Sequence, residues 1–252
     1  VQCTGLDTDG VEQTFNAEHE NGEYRMEDVT RNIDIYDAHN STLKLETLIM
    51  DSNEKLYHFK GGKCFDEKDQ QVTYSGENFS YVIREMGGNI VGTDGETVIR
   101  LWTGNFFTTV TPVTSNTSNW DNPKAVTLMS RVSKVYDFWQ TEFQRNSFDN
   151  RYGTIAAVFD DFMRIDWNQG DTTNAISYKS KSIPIAVLSF GTDNDIALKT
   201  VAHEFTHAVE GTICEMSGVG ESGAMKEAYG DIFAVIVEDW ANDGEFNNDC
   251  DW

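Results

Sequence analysis

The sequence predicts an α+β fold: a β-rich N-terminal lobe with one long amphipathic helix, followed by a pair of helices near the C-terminal end. Three observations predict it. The first 115 residues carry short apolar runs of strand length, set off by turn residues. From Pro123 the apolar residues change to helical spacing. Residues 195–242 then hold two helix-length segments joined by a glycine-rich stretch.

Taken in order, Asn21-Gly22 between two polar-apolar runs marks a hairpin. NIDIYDA, LKLETLIM, KLYHFKG, FSYVIREM and TVIRLWTG read as strands, with Gly87-Gly88 and Asp94-Gly95 as turns. In NPKAVTLMSRVSKVYDFWQTEFQRN, Ala125, Met129, Val132, Tyr136, Trp139 and Phe143 fall on one helical face, and Pro123 suits a helix start. That stripe is core packing. TIAAVFDDF and IPIAVLSFG read as buried strands. A second helix is expected to open with Asp195 as N-cap and run through DIALKTVAHEFTHAVEGTIC. A third covers ESGAMKEAYGDIFAVIVEDWAN, with Ser222 as N-cap and Ile232, Val235 and Ile236 for burial. The division expected is 1–195 for the β-rich lobe and 196–252 for the C-terminal helices.

Composition narrows the function. With 252 residues, 39% of them hydrophobic, the chain can build a packed core. No run approaches the ~20 apolar residues that span a bilayer, and VQCTGLDTDG lacks the basic start and apolar core of a signal peptide. Val1 therefore reads as a processed or engineered end. The net charge is -23, from 42 acidic and 19 basic residues. That excess disfavours nucleic acid and anionic membrane as partners. It suits a soluble exported protein, a cation binder or a salty habitat, and a solvated acidic surface accounts for most of it. Cys3, Cys64, Cys214 and Cys250 are far apart with no C-x-x-C pair, so two disulfides and an oxidising compartment are expected. The pairing expected is Cys3–Cys64 and Cys214–Cys250, each within its own part of the chain. Sequons at Asn40, Asn78 and Asn116 matter only in a eukaryotic secretory pathway.

The chemistry concentrates in TVAHEFTHAVEG. His203 and His207 lie four apart, so one helix face presents both imidazoles to one point. Glu204 is turned about 100° away, where it suits a general base better than a ligand. A catalytic zinc needs a third protein ligand. Glu227, twenty residues on, can supply it if two antiparallel helices pack together. Asp231, one turn later, can then accept a hydrogen bond from a ligand histidine.

HEFTHAV followed by ESGAMKEAYGDIFA resembles the thermolysin-like zinc metalloendopeptidases, the gluzincins. The resemblance extends more weakly through YDA at 36–38, VYDFWQ and Asn174-Ala175. It implies a thermolysin-like fold with His203, His207 and Glu227 as zinc ligands, Glu204 as catalytic base and Asp231 orienting a histidine. It places Asn174 and Ala175 on an edge strand where substrate is bound. It also implies a calcium site at Glu238, Asp249 and Asp251. There the family's further Asp is replaced by Lys199, whose ammonium can supply part of calcium's charge, so the expectation is a weakened site or none.

Other departures matter. The segment between Tyr36 and the first long helix is several dozen residues longer than in the family. Gly218 stands where a tyrosine helps hold the transition-state oxygen, and Lys226 stands where an Asn supports the second histidine. Lys226 is expected to reach to solvent. The chain stops soon after the third helix, where family members continue into a helical domain that carries a further histidine.

The function expected is that of a secreted, extracellular zinc endopeptidase acting on peptides or proteins through a metal-activated water and a Glu base. Zinc is the expected cofactor, and calcium at most a weakly held second one. A missing C-terminal portion or second chain is a partner, and without it hydrolysis is expected to be slow. The alternative is a zinc-containing pseudo-peptidase or binding module. An aminopeptidase would need an acidic anchor near NAISYKSK, which offers none.

Overall fold

The computed structural model describes residues 1–252 apart from 42, 46, 52–55, 61–62, 67–70, 73–78, 84–100, 104–107, 110, 162, 167–168, 180–184, 215, 217–218 and 243–252. The fold class read from the sequence is the one observed: sheets dominate the N-terminal half, and three helices follow.

The central sheet orders its strands as Thr111–Pro112, Ile33–Ser41, Thr154–Asp161, Ile185–Gly191 and Ala175–Lys179, with Glu27–Asp28 also paired to Ile33–Ser41. Ile33–Ser41, Thr154–Asp161 and Ile185–Gly191 run parallel. Parallel strands are normally covered on both faces, which explains the apolar runs of Thr154–Asp161 and Ile185–Gly191. Ile155 to Phe159 and Ala186 to Leu188 are all buried. Ala175–Lys179 pairs antiparallel to Ile185–Gly191 and is the last strand on that side. Within the segment expected as an insertion, five strands form one sheet in the order Gln71–Val72, Lys63–Asp66, Leu56–Lys60, Thr47–Asp51 and Phe79–Ile83, whereas Thr111–Pro112 joins the central sheet. The turns expected at 87–88 and 94–95 lie outside the described residues. At the N-terminal hairpin, Asn21 and Gly22 have φ of 54° and 85° and join Glu18–Glu20 to Glu23–Arg25. Two positive φ values are what a two-residue hairpin turn requires.

Helix α1 spans Pro123–Phe143. Asn122 caps it by accepting from the Ala125 N–H at 3.1 Å, and Pro123 occupies the first turn. Ala125, Met129, Val132, Tyr136 and Trp139 are buried as the stripe predicts, while Phe143 at the end is exposed. Helix α2 spans Leu198–Ile213 and packs on α1 and on the Ala175–Lys179 strand. Helix α3 spans Gly220–Ala241 and packs on α2.

Both of these helices depart from expectation at their starts. Asp195 does not cap α2. Its Oδ1 accepts from Ala197 N and Asn194 Oδ1 accepts from Ile196 N, so both side chains stabilise a local turn. Ile196 has φ 53°, which a helix cannot pass through, and α2 begins two residues later. In α3, Ser222 lies inside the first turn and no side chain caps the start. Nor does α3 bury Ile232 or Ile236, which are 53% and 42% exposed. Gly223, Gly230, Ala234 and Val237 are its buried residues, a face of mostly small side chains that lets α2 come close. Cys3 is buried, Cys214 is exposed, and both are free. The Cys64 side chain and Cys250, their expected partners, lie outside the described residues.

Asp34 lies on the Ile33–Ser41 strand opposite Glu27, with the Tyr36 hydroxyl 3.4 Å away. Burial first, and then the charge of Glu27, push its carboxyl from the ordinary 3.8 to about 6. Such a group favours the folded state while it is protonated. Its contribution is full below about pH 3.8 and is lost as the pH rises through about 6. Asp34→Asn removes this titration. The variant should therefore gain stability relative to the parent between about pH 4 and pH 7, by roughly 2–3 kcal/mol in urea melts. An unchanged difference across that range would show that Asp34 does not carry the shift.

Candidate metal centre

The two histidines sit mid-helix on α2, one turn apart. Their rings lie edge to face with centroids 4.5 Å apart. Glu227 reaches them from α3: its Oε2 is 3.3 Å from His203 Nε2 and 3.4 Å from His207 Nε2. The three candidate ligand atoms all lie within 4.8 Å of one another, the only such trio among the described residues. Bonds of about 2.0–2.1 Å to a tetrahedral ion would set neighbouring ligand atoms roughly 3.3 Å apart. The donor set and spacing therefore fit zinc without rearranging either helix.

Orientation comes from α3. Asp231 Oδ1 is 3.0 Å from His203 Nδ1, which leaves Nε2 facing Glu227. Gly230 lies against the same ring: a Cβ there would meet His203 ring atoms at 2.7–2.9 Å. The signal for this approach in the sequence is Gly230 itself, since a glycine inside a helix usually has a packing reason. His207 has no such support, and its buried Nδ1 has no hydrogen-bond partner. Burial, the charge of His203 and that of Lys226 lower the His207 pKa, with Glu227 opposing them.

Glu204 is buried on α2. Burial raises its carboxyl to about 7 and Glu227 adds to the rise. His203, the Ser177 backbone N–H and Lys226 oppose it. The Ser177 bond ties Glu204 to the Ala175–Lys179 strand, a link the sequence did not reveal. Lys226, expected to reach to solvent, is half-buried, and both Glu204 and His207 feel its charge.

A cleft of about 610 Å³ opens beside these groups, lined among others by Asn174, Ala175, Lys199, His203, Glu204 and Ile232. Asn174 and Ala175 thus stand at the sheet edge and on the cleft wall. A larger cleft of about 980 Å³ lies beside α1 and holds neither histidine. Several of its polar groups are already engaged: Asp7 accepts from Gln13 and the Val11 N–H, and Arg131 pairs with Asp9. Chemistry therefore favours the smaller cleft.

Of the expected calcium ligands, Glu238 accepts an ion pair from Lys199 at 2.9 Å. Asp249, Asp251 and Gly218 lie outside the described residues.

Residues 2–211 match the family described as thermolysin metallopeptidase, catalytic domain. The match includes His203, Glu204 and His207 and ends before Glu227. Neutral protease B of Bacillus subtilis is 24% identical over 94% of this chain and 34% of its own length. Bacillolysin of Brevibacillus brevis is 30% identical over 52% of this chain and 24% of its own length. The chain thus spans about a third or less of these relatives. The precursor of protealysin, a metalloproteinase from Serratia proteamaculans, aligns over 84% of this chain and 44% of its own, with 18% identity and a TM-score of 0.43, a likeness too distant to bear on the site.

Proposed function

Because the chain belongs to the thermolysin metallopeptidase family, we propose that it is the zinc-bearing part of a secreted endopeptidase that hydrolyses peptide bonds in peptides or proteins. The observation that carries this reading is the convergence of His203 Nε2, His207 Nε2 and Glu227 Oε2 beside a buried Glu204. His203, His207 and Glu227 would hold the ion, with Asp231 fixing His203. Zinc when bound supplies Lewis acidity to the scissile carbonyl and to the attacking water.

The chain's own residues do the rest. Glu204, buried beside the trio, accepts the proton of the attacking water and returns it to the leaving amine. The Ser177 N–H fixes the Glu204 carboxylate, and Asn174 and Ala175 offer substrate backbone a sheet edge to pair with. A pseudo-peptidase would have no use for a buried carboxylate with a raised pKa, so hydrolysis is the better reading. No helix among the described residues is long and apolar enough to cross a membrane. The acidic surface suits an exported protein. Since Lys199 engages Glu238, a calcium site there is weak or absent.

Three outcomes test this. His203→Ala and Glu227→Ala should lose most bound zinc in metal analysis, whereas Glu204→Gln should keep it and lose about 10²–10⁴ in turnover of a quenched fluorescent peptide. Full zinc occupancy in the Glu227 variant would remove that residue from the ligand set. Asp231→Asn should weaken zinc about 10–100-fold in chelator competition, and unchanged affinity would reduce Asp231 to a bystander. Micromolar calcium should shift the melting temperature by no more than about a degree or two. A rise of many degrees would establish a strong calcium site.

A further inference from the structure

Along the α2–α3 interface the polar contacts form a ladder. His207 meets Glu227, His203 meets Asp231, and further out, one turn along α2 and two along α3, Lys199 meets Glu238 at 2.9 Å. The residue numbers rise on one helix as they fall on the other, so the helices are antiparallel and the start of α2 lies beside the end of α3.

Each charge in the outermost rung sits at the wrong end of its own helix. Lys199 is in the first turn of α2, where the helix dipole is positive. Glu238 is in the last turn of α3, where it is negative. Alone, each would weaken the helix that bears it. Across the interface the signs invert. The Glu238 carboxylate lies at the N-terminus of α2, which has no acidic residue in its first turn and no side-chain cap. The Lys199 ammonium lies at the C-terminus of α3, which has no basic residue in its last turn. Each side chain compensates the neighbour's helix end.

We propose that Lys199 and Glu238 are positioning residues: a crossed charge clasp that fixes α3 along α2 and so sets Glu227 and Asp231 against the histidines. The proposal rests on the zinc reading and extends it to two residues that touch no metal. A slip of α3 by one residue along the interface moves Glu227 by about 1.5 Å, enough to take it out of the trio.

The experiment measures zinc dissociation constants by chelator competition on the folded protein, at low and at high salt. Lys199→Ala and Glu238→Gln should each weaken zinc about two- to fivefold, the range of a half-exposed ion pair. The deficit should shrink in 1 M salt, where screening is strong, and Lys199→Arg should restore affinity. Lys199→Glu and Glu238→Lys should each weaken zinc further, while the double variant, which puts each charge at the favourable end of its own helix, should bind at least as tightly as the parent. Circular dichroism before each titration removes any variant that fails to fold, and the charge-swapped pair then carries the test. If the single variants bind zinc like the parent, or the double variant is no better than the worse single one, the clasp is refuted. If the parent itself binds no zinc, the metal reading fails and the clasp with it.

Discussion

Everything in the candidate site depends on how closely α3 can approach α2. The His203 ring rests where Gly230 has no side chain, and Gly223 and Ala234 keep the rest of that face thin. This closeness brings a carboxylate within 3.3–3.4 Å of two imidazole nitrogens. A bulkier face would keep the same residues in sequence and separate them in space. Backbone proximity is thus the first requirement of the metal centre, and ligand chemistry the second.

Burial supplies the site's second property. Few carboxylates in a chain of charge -23 have reason to leave water, yet Glu204 lies in the interior wall of α2 against the sheet edge. The cost of placing a charge there is what raises its proton affinity to the working range. The same burial lowers the proton affinity of His207, keeping an imidazole neutral and able to donate a lone pair. One low-dielectric pocket therefore shifts a carboxyl upward and an imidazole downward.

Much of this was legible in the sequence because the signals are periodic or local. The α1 stripe, the strands around Ile155 and Val187, the Asn21-Gly22 turn and the four-residue histidine spacing each follow from one element's geometry. What could not be read depends on neighbours. Ile232 and Ile236 look like core residues by hydropathy but lie exposed, because the contact face of α3 is built of glycine and alanine. Asp195 is a good cap by type, but the left-handed Ile196 intervenes before the helix can start. The Ser177 N–H on Glu204 belongs to backbone, to which side-chain identity gives no clue. Glu227 and Asp231 were legible from the need for a third ligand, their spacing and the family resemblance together, and the geometry brings both to the histidines.

The outward face of α3 has a different consequence. Met225, Tyr229, Ile232 and Ile236 recur about once per turn and all are exposed among the described residues, Ile232 on the wall of the cleft beside His203. At low ionic strength the mutual repulsion of like-charged molecules holds such faces apart. At 1 M salt the screening length contracts to about 3 Å, and the contest passes to the apolar face, whose attraction for apolar matter salt does not diminish. Among the described residues, α3 is therefore a place where rising salt favours contact with apolar matter.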